Sequence, residues 1–185
     1  MKLYNTLRIC LIAAGAVAVA GGAVIAMEPE LAKIHKKIEA DYDNVEHIDG
    51  DEFGALDPDN TIVFDVRKVS EFEVSHLDGA IQVDPSIKPK DFIEQYGQAV
   101  EGKTVVFYCS VGRRSSNLAE RVDAVLAEQG NTESYNLIGG VFQWHNEDRS
   151  LTNIEGSETN AIHPYNNHWG RLISDKSAIR YKPED

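Results

Sequence analysis

From Val105 to Cys109, in the stretch KTVVFYC (103–109), every residue is apolar or aromatic. A strand of this kind has no face to give to water. It must be packed on both sides, which is the situation of a central strand in a parallel sheet covered by helices. The rest of the chain supplies partners. TIVFDV (61–66) is a short β-rich run after the turn signal DPDN, and GAIQVD (79–84) is a second, closed by Pro85. ESYNL (133–137) reads as another strand and VEHI (45–48) as an outer one. KPKDFIEQYGQAV (88–100) reads as a helix. After Cys109, the residues Leu118, Val122, Val125 and Leu126 form one apolar stripe. In that helix Asn117 and Glu120 are expected to form a capping pair, and Gly130 to end it. GGVFQWHNE (139–147) is a glycine turn entering a short helix. Strands and helices thus alternate over about 45–150, which calls for an α/β domain with helices on both faces of a parallel sheet.

The ends of the chain differ from this body. MKLYNTLR carries Lys2 and Arg8, and no charge follows from Ile9 to Met27. A basic start, an apolar middle and a small-residue end form the pattern of an export signal. Residues 1–26 are therefore expected to be either a cleaved signal peptide or an uncleaved anchor, with residues 9–27 as the membrane tether. In both cases the positive residues stay in the cytoplasm and the body lies outside it, periplasmic or held at the inner membrane. Residues 27–44 form a helical lead-in, with Leu31, Ile34 and Ile38 at helical spacing. Residues 150–185 lose all periodicity and read as an extended arm packed on the domain at 45–149. The net charge is −12 and no lysine-arginine tract is present, so no nucleic-acid surface is expected.

An exported protein ordinarily pairs its cysteines. Here the body carries Cys109 alone, since the second cysteine, Cys10, sits in the N-terminal segment. Cys109 opens the loop CSVGRRS between a strand and a helix, where ligands of parallel sheets gather. A turn from strand into helix leaves N–H groups without partners, and a short loop can curl them around one point. Gly112 can take the positive φ that such a curl often needs, and Arg113 and Arg114 add full positive charge. All of this favours the thiolate, the nucleophilic form of sulfur, and would equally favour an anionic persulfide. Cys109 is accordingly the candidate catalytic residue. Ser110, Val111, Gly112, Arg113, Arg114 and Ser115 are the candidate substrate-binding set.

These residues resemble the active-site loop of the rhodanese (sulfurtransferase) domain, in which a cysteine is followed by four residues and an arginine. FDVRKVSEF (64–72), SHLDGAIQVD (75–84) and YNLIGGVFQW (135–144) resemble further segments of that family, in the same order. The resemblance implies a rhodanese-like central five-stranded parallel sheet. It also implies a cysteine that takes sulfane sulfur from a donor such as thiosulfate or a persulfide and passes it to a thiol, cyanide or sulfite. No metal or organic cofactor is implied. Related phosphatases place five residues between cysteine and arginine, so the shorter loop here suits sulfur better than phosphate. The sequence departs from thiosulfate-type loops at Ser110, which is neutral where a charged residue is common. Donor choice is therefore open to a thiol persulfide or a partner protein.

Asp65 and Arg67, at a neighbouring strand end, can either shape the pocket or form a structural ion pair that holds the loop, and the pair is the favoured reading because a buried carboxylate must be paired. Glu71 and His76 read as scaffold residues, and Gly139 and Gly140 as a tight turn beside the loop. Phe142 and Trp144 read as core. His163 and His168 have no spacing or companions that make a metal set. Tyr165 and Trp169 are expected to anchor the arm by burying aromatic surface. Two other functional classes remain beside sulfur transfer. One is a non-catalytic binding module, which a Cys109→Ser protein with full biological function would favour. The other is a thiol-dependent oxyanion reductase, which needs an external thiol because the body lacks a resolving cysteine.

Overall fold

A computed structural model describes residues 29–130 and 133–183. The expected signal or anchor at 1–26 lies outside the described residues. Among those described, no helix is long and apolar enough to cross a membrane.

The elements follow the apolar pattern closely. Helix α1 spans Pro29–Asp41, strand β1 Glu46–Ile48 and helix α2 Gly50–Gly54. Strand β2 covers Thr61–Asp65, helix α3 Val69–Phe72 and strand β3 Ile81–Gln82. Helix α4 (Pro89–Val100) precedes the central strand β4 (Thr104–Tyr108), which leads to helix α5 (Arg113–Glu128). Strand β5 is Ser134–Leu137 and helix α6 is Gly140–Asn146. The five strands form one parallel sheet in the order β1-β5-β4-β2-β3. β4 lies in the middle, as its unbroken apolar sequence requires.

Alternation along β4 splits the core. Val105 and Phe107 point to one face, where they meet Phe92 of α4 and Leu118, Val122 and Leu126 of α5. Val106 and Tyr108 point to the other, toward Leu31 of α1 and Val141 and Phe142 of α6. The expected helical cover on both faces is present.

Two expectations change. Helix α5 begins at Arg113, with Gly112 as its N-cap, so Asn117 is inside the helix and caps nothing. Its Oδ1 accepts instead from Arg121 Nε at 3.1 Å, one turn on. The physical reason is that the loop after Cys109 is itself the helix start. The arm is also more structured than a plain extended segment. Strands β6 (Leu151–Thr152) and β7 (Glu158–Thr159) form a hairpin, and two 3₁₀ turns follow at Trp169–Leu172 and Lys176–Ala178. The arm is tied to the domain by the backbone exchange between His76 and Thr152, and Ile162 and Ile173 are fully buried.

Candidate active site

The end of β4 is where the loop is shaped. Cys109 C=O accepts from Val141 N–H at 2.9 Å, and Ser110 C=O from Phe142 N–H at 3.1 Å. The start of α6 thus pins the loop carbonyls outward and leaves its amides to turn in. This close approach explains the double glycine. Gly139 and Gly140 both have positive φ, and a Cβ on Gly140 would lie 2.2 Å from Cys109 O. We expect Gly140→Ala to cost about 2–3 kcal/mol, as overpacking does, and to slow alkylation of Cys109. Urea denaturation and a thiol-labelling time course check both effects.

Inside the loop, Gly112 takes φ +99°, and its N–H points at Cys109 Sγ from 3.3 Å. The amides of Val111 and Ser115 also favour the charged form of the sulfur. Arg114 reaches across the loop. Its Nη1 and Nη2 donate to the two carboxylate oxygens of Glu71, each at 2.8 Å, and Nη2 also donates to Ser110 Oγ at 2.9 Å. Burial pushes the Cys109 thiol up. The Arg114 charge and the hydrogen bonds from Ser115 and Val111 outweigh it, so the thiol lies below its ordinary range. Burial likewise raises Glu71, but the Arg114 fork, the Lys68 N–H and the Arg67 charge pull it below the ordinary carboxylate value.

Cys109 is only 1% exposed, yet it forms part of the floor of a cleft of about 440 Å³. Ser110, Val111, Arg113 and Arg114 line the same cleft. Arg113 is half exposed and meets Asp41 of α1 at 3.0 Å. Ser115 lies behind the sulfur, donating its hydroxyl to Asn136 Oδ1 at 2.6 Å, while Asn136 Nδ2 faces His47 Nδ1 at 3.0 Å. Asp65 and Arg67 form a fully buried ion pair at 2.6 Å and do not line the cleft. Asp65 Oδ2 also accepts from Tyr108 OH at 2.6 Å, and Arg67 Nη2 donates to Ser75 O at 2.6 Å. The pair therefore braces the last residue of β4, directly before the cysteine.

Three residues take places that sequence reasoning did not give them. Glu71, read as scaffold, is the buried counter-ion of Arg114. Asn136 was not singled out, and only its apolar neighbours identified that strand. Tyr165 is not a buried anchor. It is 41% exposed, with φ 63°, and its ring stands 5.0 Å from the Arg114 guanidinium. The turn is held by Tyr165 N–H donating to His163 Nδ1 at 3.0 Å. Trp169 lies beside it at the cleft wall, and Trp144 is half-buried rather than enclosed. His76 is satisfied, with Nδ1 3.1 Å from Phe72 O and its ring stacked on Phe72. Among the described residues no cluster has the donor set for a metal ion.

The charge of Arg114 carries the acidity of the thiol. We expect Arg114→Gln to move the midpoint of iodoacetamide alkylation up by about one pH unit or more. The double variant Arg114→Gln/Glu71→Gln removes both charges and controls for the unpaired carboxylate. It is expected to show the same upward shift.

The architecture and the loop together define a parallel α/β domain that presents one cysteine among inward-turned amides and the Arg114 charge, at the carboxyl end of its central strand. Comparison with known proteins gives the family. The chain belongs to the rhodanese-like domain family, whose model matches residues 51–147. The tRNA uridine(34) hydroxylase of Oceanobacillus iheyensis is 34% identical over 95 residues, 49% of this chain and 28% of that protein. That of Cytophaga hutchinsonii is 33% identical over 101 residues, 53% of this chain and 31% of that protein. The chain thus spans less than a third of the length of these relatives. Among solved structures, a thiosulfate sulfurtransferase from Pseudomonas aeruginosa is 17% identical with a TM-score of 0.49, over 77% of this chain and 26% of that one.

Proposed function

We propose that this protein is a sulfurtransferase that carries sulfane sulfur as a persulfide on Cys109. The observation that carries the reading is the sulfur itself. It is surrounded by amide hydrogens and the Arg114 charge, its acidity is raised, and it faces an open cleft. In the first half-reaction, the Cys109 thiolate attacks the outer sulfur of a donor. The bond from that sulfur to the rest of the donor breaks, and the leaving group departs with the electron pair, as sulfite from thiosulfate or as a thiolate from a persulfide. Cys109 keeps an S–S⁻ group, whose charge falls to the same amides. In the second half-reaction, a nucleophilic acceptor attacks the outer sulfur, and Cys109 leaves as thiolate. Proton and electron counts balance without a redox partner. In this reading the domain works outside the cytoplasm, as the pattern of the first residues suggests.

The test is a donor series (thiosulfate, cysteine persulfide and glutathione persulfide) followed by intact mass and by thiocyanate formation with cyanide. A gain of one sulfur on Cys109 from at least one donor is expected. No gain from any donor and no thiocyanate would overturn the assignment.

The named relatives raise a second reading, action on a tRNA uridine. It rests on a match that covers less than a third of those proteins. A net charge of −12 opposes it, because a polyanionic backbone is bound largely by neutralising phosphates.

A further inference from the structure

The walls of the cleft come from outside the segment that the family defines. The family match ends at residues 51 and 147, and it contains Cys109 and its loop. Ile34 and Lys37 of α1 and Tyr165 and Trp169 of the arm complete the cleft from both flanks. These four are not incidental neighbours. Tyr165 adopts φ 63°, a conformation that non-glycine residues rarely take, and this aims its ring over Arg114 rather than into the core. Lys68 stands 5.8 Å from the same ring. The turn that holds Tyr165 is fixed by His163, which is itself buried.

The resulting space does not suit a small inorganic donor. About 440 Å³ lies in the range of pockets that enclose organic ligands, about 300–1,000 Å³. Its lining divides by chemistry. Ile34, Val111, Tyr165 and Trp169 present apolar and aromatic surface, and Lys37 and Arg113 bring positive charge to the rim. Thiosulfate would leave the apolar wall unused. A molecule with an apolar body ending in an anionic sulfane sulfur would use both parts.

Resting on the sulfurtransferase reading, we propose that the donor is an organic sulfane-sulfur anion whose apolar, ring-sized body packs against Ile34, Tyr165 and Trp169. Tyr165 and Trp169 are then the residues that select it. The transfer balances as R–SO₂–S⁻ plus Cys109–S⁻ giving R–SO₂⁻ plus Cys109–S–S⁻. The donor S–S bond breaks, the Cys109 S–S bond forms, and the sulfinate leaves with the electron pair.

The experiment compares benzenethiosulfonate with methanethiosulfonate, which share one reaction and differ in their apolar body. Each kcat/KM is divided by the rate of the same donor with a free small thiol, which removes intrinsic reactivity. The full protein is expected to favour the aryl donor by about tenfold or more, the scale on which hydrophobic pockets discriminate. In Tyr165→Ala/Trp169→Ala the ratio is expected to fall to within about twofold of one. A wild-type ratio within twofold of one, or a ratio kept in the double variant, overturns the proposal. Calorimetric titration of Cys109→Ser with benzenesulfinate and methanesulfinate separates the two readings. If no donor loads sulfur but benzenesulfinate binds about tenfold more tightly, the transfer reading fails and the selectivity of the cleft stands. If sulfur loads without aryl preference and the sulfinates bind alike, transfer stands and the proposal here is overturned.

Discussion

Cys109→Ser is expected to abolish sulfur transfer from every donor, by at least about a thousandfold, the scale on which removal of an essential nucleophile shows. The serine hydroxyl is far too basic to ionise in the ring that favours the thiolate. Little else should change. Serine keeps the size of the side chain, and the contacts from Gly112, Val111 and Ser115 can still reach an acceptor at that position. The variant should therefore fold, with stability in urea within about 1 kcal/mol of the parent. Intact mass after treatment with a persulfide should show no added sulfur. Retention of more than a tenth of the activity would mean that another group does the chemistry. Full biological function without activity would favour the non-catalytic binding module.

The second large effect is on stability. Asp65→Ala is expected to cost about 3–5 kcal/mol, the penalty for stranding a buried charge. Arg67 has no exposed surface, and its guanidinium is held protonated because the Asp65 charge and hydrogen bonds outweigh its burial. Removing Asp65 also leaves Tyr108 OH without its acceptor at 2.6 Å. Chemical denaturation measures the loss. Asp65→Ala/Arg67→Met, which removes both charges, should recover most of it. A single-variant cost below about 1 kcal/mol would show that Arg67 finds another partner. The single variant should also blunt Cys109 reactivity, because the pair braces the strand end that delivers the cysteine.

Much of the fold was legible because it is written in short-range pattern. The apolar faces of 61–66, 103–109 and 133–137 became β2, β4 and β5 within a residue or two. The reactive loop was legible for the same reason: its cysteine, glycine and arginines are contiguous. What was not legible depends on long separations. Glu71 meets Arg114 across 43 residues, and nothing near Glu71 in the chain marks it as more than a helix-start acid. Asn136 meets Ser115 across 21 residues, inside a strand where an amide looks like an interruption. Tyr165 reads as an anchor of the arm because an aromatic in an irregular segment usually buries its ring. A left-handed backbone at a tyrosine carries no sequence signal. The Asn117 cap is absent for a different reason: the helix starts at Arg113, straight out of the cysteine loop, so Asn117 lies inside it.

The depth of the cysteine has a consequence for what it can be mistaken for. With its thiol sunk to 1% exposure, the protein hides its own sulfur from bulky oxidants and disulfides in the surrounding medium. On the proposed reading, a loaded sulfur would stand one bond further out than Sγ, toward the cleft that the loop lines. An incoming thiol would then meet cargo before it met chain. The burial of Cys109 would thus decide which of two adjacent sulfurs is given away.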